Sequence, residues 1–183
     1  MAQYNGYRLV PHDSYNIWRS TVLGNGYNVD YMYGNQCWDL AALLYFQYGL
    51  LLITKPGGGI AADCWNVSRI ANSKAPFISL TGAANIKRGD ILVWDSTTSY
   101  PAGHIAFADE DYNGTSRLNC LGQNQGQGSS GPANIVSQPL GNFLGIFRNT
   151  RWAAPVPPTP TETKKRKHFP WPVAWAHWDS FKN

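Results

Sequence analysis

Apolar positions divide the chain into a helical first half and a stranded second half. After Asp13-Ser14, a ready helix cap, the pattern predicts a short helix over Tyr15–Val22, which Gly24-Asn25-Gly26 ends. Asn28 to Gly34 reads as a loop. From Cys37 an almost unbroken apolar run of good helix formers continues to Gly49, a residue suited to the position just past a helix C-cap. Leu50–Thr54 is expected to be a short extended piece, Pro56-Gly57-Gly58-Gly59 a turn, and Asp63–Ala71 a helix turning Ala62, Trp65 and Ile70 to the core. From Ile86 the period shortens. Ile91–Trp94, Gly103–Ala108, Leu118–Leu121 and Phe143–Arg148 read as strands. A Ser/Thr/Pro loop (Ser96–Ala102), a hairpin turn (Asp109-Glu110-Asp111, Asn113-Gly114) and a Gly/Gln/Ser loop (Gln123–Gly131) separate them. Helices first and an antiparallel meander second predict an α+β fold, N-terminal helices packed on an antiparallel β-sheet.

Composition adds a boundary. Of 183 residues, 43% are hydrophobic and 14% charged, enough for one domain with a real core. The net charge of +4 splits into +1 for residues 1–152 and +3 for the remainder. Residues 1–152 therefore read as the domain, 153–163 as an extended Pro/Thr linker and 164–183 as a basic, Trp-rich tail. Three cysteines at irregular spacing form neither a disulfide framework nor a zinc pattern. No signal peptide pattern opens the chain, and no run approaches the ~18 apolar residues of a membrane span. A chain made in the cytoplasm and released by another agent is the expectation.

Cys37 occupies the first turn of a largely buried helix. Unpaired N–H groups and the positive end of the helix dipole there favour thiolate over thiol, so Cys37 is the candidate nucleophile. A thiol needs a base, and His104 is the best placed of four histidines. It follows Gly103 at the start of an apolar strand beside a loop, while His12, His168 and His177 lie in irregular or tail segments. Asn124, just past the neighbouring strand, is expected to accept from the ring and fix its tautomer. Cys64 and Cys120 read as small buried hydrophobes, and Asp109-Glu110-Asp111 as a solvated turn. Trp38, Trp65 and Trp94 are assigned to the core.

Tyr33-Gly34-x-Gln36-Cys37-Trp38-Asp39-Leu40, Gly89-Asp90-Ile91-x-Val93-Trp94, Gly103-His104-Ile105 and Gln123-Asn124, in that order, resemble the CHAP family. These are the cysteine, histidine-dependent amidohydrolases/peptidases of phage endolysins and bacterial autolysins. The resemblance covers about residues 10–152. It implies a papain-like α+β fold cleaving an amide bond of Gram-positive peptidoglycan through a thioester, as endopeptidase or amidase. It makes Cys37 and His104 the catalytic pair, Asn124 the third member and Gln36 the oxyanion-hole glutamine, with Gln36 as a mere helix cap the alternative. Many lytic members carry Glu-Gln-Asn where this chain has Gly122-Gln123-Asn124, so the glutamate is missing.

Some CHAP endolysins bind calcium through a pattern that Asn28, Asp30, Tyr33, Gly34 and Asp39 resemble, with Asn28 replacing an aspartate. The implied Ca²⁺ ligands are Asn28, Asp30, Asp39 and the carbonyls of Met32 and Gly34, an all-oxygen set suited to a hard cation. The other reading makes Asp39 a helix cap and Asp30 a turn residue. In the tail, Lys164–Lys167 beside Trp171, Trp175 and Trp178 suits an anionic membrane surface or teichoic acid, and a disordered tail is the alternative. No supporting fold points to nucleic acid, and a monomer is expected. The competing function is a catalytically weak wall-binding module.

Overall fold

The computed structural model describes residues 3–4, 7–8, 10–55, 59–126 and 130–152. The linker and tail expected over 153–183, and Pro56-Gly57-Gly58 of the expected turn, lie outside the described residues. Strands β1 (Gln3–Tyr4) and β2 (Tyr7–Arg8) form a small hairpin. Helices α1 (Tyr15–Val22), α2 (Cys37–Gln47), α3 (Asp63–Asn66) and α4 (Arg69–Asn72) follow. Then come β3 (Phe77–Leu80), β4 (Ile91–Trp94), β5 (His104–Ala108), β6 (Arg117–Gly122), β7 (Asn134–Pro139) and β8 (Phe143–Asn149). They make one antiparallel sheet in the order β3-β8-β4-β5-β6-β7.

The helix α2 is apolar all round because it is buried all round. Leu40, Leu43, Leu44 and Tyr45 are inaccessible to solvent, and the helix lies against β5. Gly49 ends it as expected. With φ of 70° its N–H reaches the Phe46 carbonyl at 2.8 Å, while the Leu50 N–H reaches the Tyr45 carbonyl at 3.1 Å. That pair of bonds is a Schellman closure. On this side of the sheet Ile91, Val93, Ile105, Phe107 and Phe147 meet the helices. On the other, Leu92, Trp94, Ala106, Ala108 and Ile146 form a second layer beneath Tyr112, Leu140 and Phe143. Burial of both faces explains why β4 and β5 read as continuous apolar runs without alternation.

Several expectations are corrected. Leu50–Thr54 forms no strand. Asp63–Ala71 divides into α3 and α4, and Ile70 is exposed while Ala62 and Trp65 are buried. The short strands β1 and β2 are absent from the sequence reading, and so are two strands of the six-stranded sheet, β3 and β7, both at its edges where a single covered face leaves a weak apolar signal. Asp109 is not a solvated turn residue. It accepts from Tyr15 Oη at 2.9 Å and from Arg19 Nε at 2.6 Å and Nη2 at 3.0 Å, fastening α1 to the sheet. Cys64 and Cys120 are free and buried, as read.

Candidate functional site

The site is built where the N-terminus of α2 meets the start of β5. Gln36 occupies the N-cap with extended φ and ψ of −86° and 160°. Asp39, three residues on, returns its carboxylate to the cap: Oδ2 accepts from the Gln36 N–H at 2.7 Å and Oδ1 from the Val29 N–H at 2.8 Å. This satisfies one orphan donor of the first turn and draws the preceding loop onto the helix. Cys37 is thereby held as the first helical residue. It lines a groove of about 640 Å³ with Met32, Tyr33, Trp38, Ile60 and Ala102.

Burial raises the Cys37 thiol pKa to about 11, although the backbone amides of Ile105 and Trp38 act in the opposite direction. The thiolate expected from the helix position is therefore not the resting form. Desolvation outweighs the helix terminus, because removing a charge from water costs more than a few partial charges return. The Ile105 amide facing the thiol brings Cys37 within one residue of His104 on β5.

His104 opens β5 opposite Trp94 of β4 and is buried. Its ring neighbours those of Trp94 and Tyr100, at centroid distances of 5.7 and 5.4 Å. It borders a second cavity of about 280 Å³ that Asp95, Gln138 and Asn142 also line. Burial lowers its pKa, with a hydrogen bond to Gln125 opposing the shift. Thiol and imidazole both rest neutral, and among the described residues no hydrogen bond joins them. Such pairs commonly tighten only when substrate is bound.

The partner of the ring differs from the one expected. His104 Nε2 lies 3.0 Å from Gln125 Oε1. Asn124 turns the other way, its Nδ2 donating to Gln36 Oε1 at 2.9 Å and its Oδ1 accepting from the Ser130 N–H at 3.1 Å. A left-handed backbone at Asn124 (φ 53°) separates the two neighbouring side chains. Gln36 Nε2 donates to the Tyr33 carbonyl, which also accepts from Ser130 Oγ at 3.0 Å. Gln123 is buried and ties both segments together. Its Oε1 accepts from the Tyr27 N–H at 2.7 Å, and its Nε2 donates to the carbonyls of Tyr27 and Gln36 at 2.9 and 3.0 Å. Gln123 and Gln125 were missed as site residues. Their signal was the polar run Gln-Asn-Gln directly after an apolar strand.

The loop before α2 curls through left-handed residues Tyr31, Tyr33 and Gly34, with φ of 60°, 59° and 75°. Gly34 packs against Ser130, leaving no room for a side chain. Asp30 Oδ1 accepts from the Met32 N–H at 2.8 Å. Asp39 has a pKa raised to about 6, by burial first, with its backbone donors lowering it and the Asp30 charge raising it. Among the described residues no cluster of three or more His, Cys, Asp or Glu side chains forms. A cation here would need Asn28 and main-chain carbonyls beside the two carboxylates.

The fold and this arrangement define a cysteine–histidine domain of the papain-like kind. Residues 25–124 match the CHAP domain, and the chain belongs to that family. It is 32% identical over 129 residues to a D-alanyl-L-alanine endopeptidase of Streptococcus phage B30. That match takes in 69% of this chain but only 28% of the relative's length. The fold is similar to that of the endolysin LysIME-EF1 (TM-score 0.56, 24% identity, 74% of this chain and 63% of that one). It is also similar to Ly7917 (TM-score 0.50, 17% identity, 72% and 60%).

Proposed function

We propose that the chain is a peptidoglycan hydrolase that cleaves an amide bond with Cys37 as nucleophile and His104 as proton carrier. One observation carries the reading: the candidate thiol sits at the head of α2, in an open groove, one residue across β5 from a buried imidazole. His104 takes the thiol proton as sulfur bonds to the carbonyl carbon. The imidazolium then protonates the departing amine, leaving a thioester. A water molecule deprotonated by His104 attacks the thioester, and the thiol is regenerated with release of a carboxylic acid. The Cys37 main-chain N–H, which has no partner within the helix, and the remaining Nε2 hydrogen of Gln36 are the donors for the oxyanion. Asn124 acts by holding Gln36.

The phage B30 relative is named for a D-alanyl-L-alanine bond, so that peptide bond is the first to test. Digestion of purified Gram-positive walls, read by mass spectrometry of new termini, should give fragments with wild type and none with Cys37→Ala. New D-alanine carboxyl termini would mark an endopeptidase; free muramic acid lactyl carboxyls would mark an amidase. Walls bound but uncut by wild type would favour the binding module instead.

Ca²⁺ suits the donors before α2, because they are all oxygen and Asp30 and Asp39 oppose each other's charge. Asn28, Asp30, Asp39 and the carbonyls of Met32 and Gly34 would hold it. A bound cation would fix the loop that forms one wall of the groove. Calorimetric titration of the chelator-treated protein tests this independently of activity: wild type should bind Ca²⁺ and Asp30→Asn should lose most of the heat. No heat with wild type would remove calcium from the reading. Contact of the 164–183 tail with wall polymers or membrane is part of the same proposal.

A further inference from the structure

We infer that Gln125, seated against Gly122, is the positioning residue for His104, holding the ring by its Nε2–H so that Nδ1 is the basic nitrogen. The inference rests on the reading of His104 as proton carrier. Its basis is a closed set of hydrogen bonds. Gln125 is buried, and its Nε2 donates to the carbonyls of Cys120 and Asn134, both at 2.9 Å. Its Oε1 receives Gln138 Nε2 at 2.9 Å and faces His104 Nε2 at 3.0 Å. Reversing the amide would press its oxygen on two carbonyl oxygens and leave its NH₂ facing the Gln138 NH₂. The amide therefore has one orientation. An oxygen can only accept, so the neutral imidazole must carry its proton on Nε2.

Gly122 makes the arrangement possible. A Cβ at this position would stand 2.9 Å from Gln125 Oε1 and 3.0 Å from Ala106 Cβ. Where the related pattern has a glutamate, this chain has empty space, and the amide of a residue three positions later fills it. The substitution changes charge as well as address. The ring is oriented by a neutral acceptor, whose hydrogen bond supports an imidazolium less than a carboxylate at that position would. The groups with titratable side chains around the ring are Asp95 and Tyr100 on its cavity wall and Cys37 beyond Ile105; Trp94 and Gln138 are neutral.

The test is nitrogen-15 NMR of the imidazole in the full chain, with His104 assigned by loss of its signals in His104→Asn. Wild type should show the Nε2–H tautomer at neutral pH. Gln125→Glu should raise the ring pKa by at least one unit, a tenfold shift in its protonation equilibrium. Gly122→Ala, which crowds the amide, should mix the tautomers. Gln125→Met should lower the turnover of wall cleavage at least tenfold with little change in KM. An Nδ1–H tautomer in wild type would overturn the inference, and so would a folded Gln125→Glu with an unmoved ring pKa. If wild type cuts no walls yet shows the expected tautomer and shift, the hydrolase reading fails and the positioning stands.

Discussion

Gly103→Ala addresses why a glycine precedes the histidine. Gly103 has φ of 69°, and a Cβ there would meet the Trp94 carbonyl oxygen at 2.5 Å, Ala62 Cβ at 2.8 Å and Ala62 N at 3.0 Å. Two of these atoms are backbone and cannot rotate away. The left-handed conformation costs an alanine about 1 kcal/mol, and the overpacking about 1–3 kcal/mol more. A total of about 2–4 kcal/mol follows, or about 1–2 M in the urea midpoint. Gly114→Ala is the control, because Gly114 has φ of 86° with nothing within 4 Å of the added carbon. It should show the conformational cost of about 1 kcal/mol alone. Equilibrium urea unfolding of both variants separates the two contributions. The clash has a functional consequence too. The strand must move to relieve it, and His104 moves with it, so wall cleavage by the folded fraction should fall by about a hundredfold. Equal destabilisation in the two variants, or Gly103→Ala with full activity, would refute the reasoning.

Three other outcomes follow from the same structure. The lowered His104 pKa means the unfolded chain binds its proton more readily below the ordinary value of 6.5. The His104 contribution to stability should therefore fall as pH drops from 7 to 5, while the raised Asp39 acts in the opposite direction with or without the histidine. A thermal melt series should show wild type losing stability relative to His104→Asn over that range. Asn72→Ala should cost about 2–4 kcal/mol in urea unfolding, because the buried side chain bonds Ile53 N–H at 2.8 Å and the carbonyls of Ile53 and Cys64 at 2.9 Å. Asp109→Ala should cost about 2 kcal/mol, since Arg19 remains partly solvated while Tyr15 Oη is left buried and unpaired. Amide hydrogen exchange should then rise first in α1.

Much of the fold was legible because its causes are local. The cap of α1, the glycine after α2 and the apolar runs of β4 and β5 act over a few residues, and each lies where the pattern put it. The edge strands were not, because Asn134–Pro139 becomes a strand only through its bonds to β6. Asp109 was misread for a similar reason: its partners lie 90 and 94 positions away in the chain.

The amino-acid sequence by itself determined that a cysteine opens a buried helix and that a glycine-led histidine opens a buried strand. It also carried the ordered motifs that place both in the CHAP family. Tertiary structure decided what those residues can do. It holds the thiol and the imidazole more firmly in their neutral forms by removing both from water. It gave the imidazole to Gln125 and the N-cap glutamine to Asn124, although the two amides are adjacent in the chain. Helix caps and strand periods depend on neighbours a few residues away. A side chain's partner depends on the path of the backbone and the space left for it, here a left-handed turn at Asn124 and the missing side chain of Gly122.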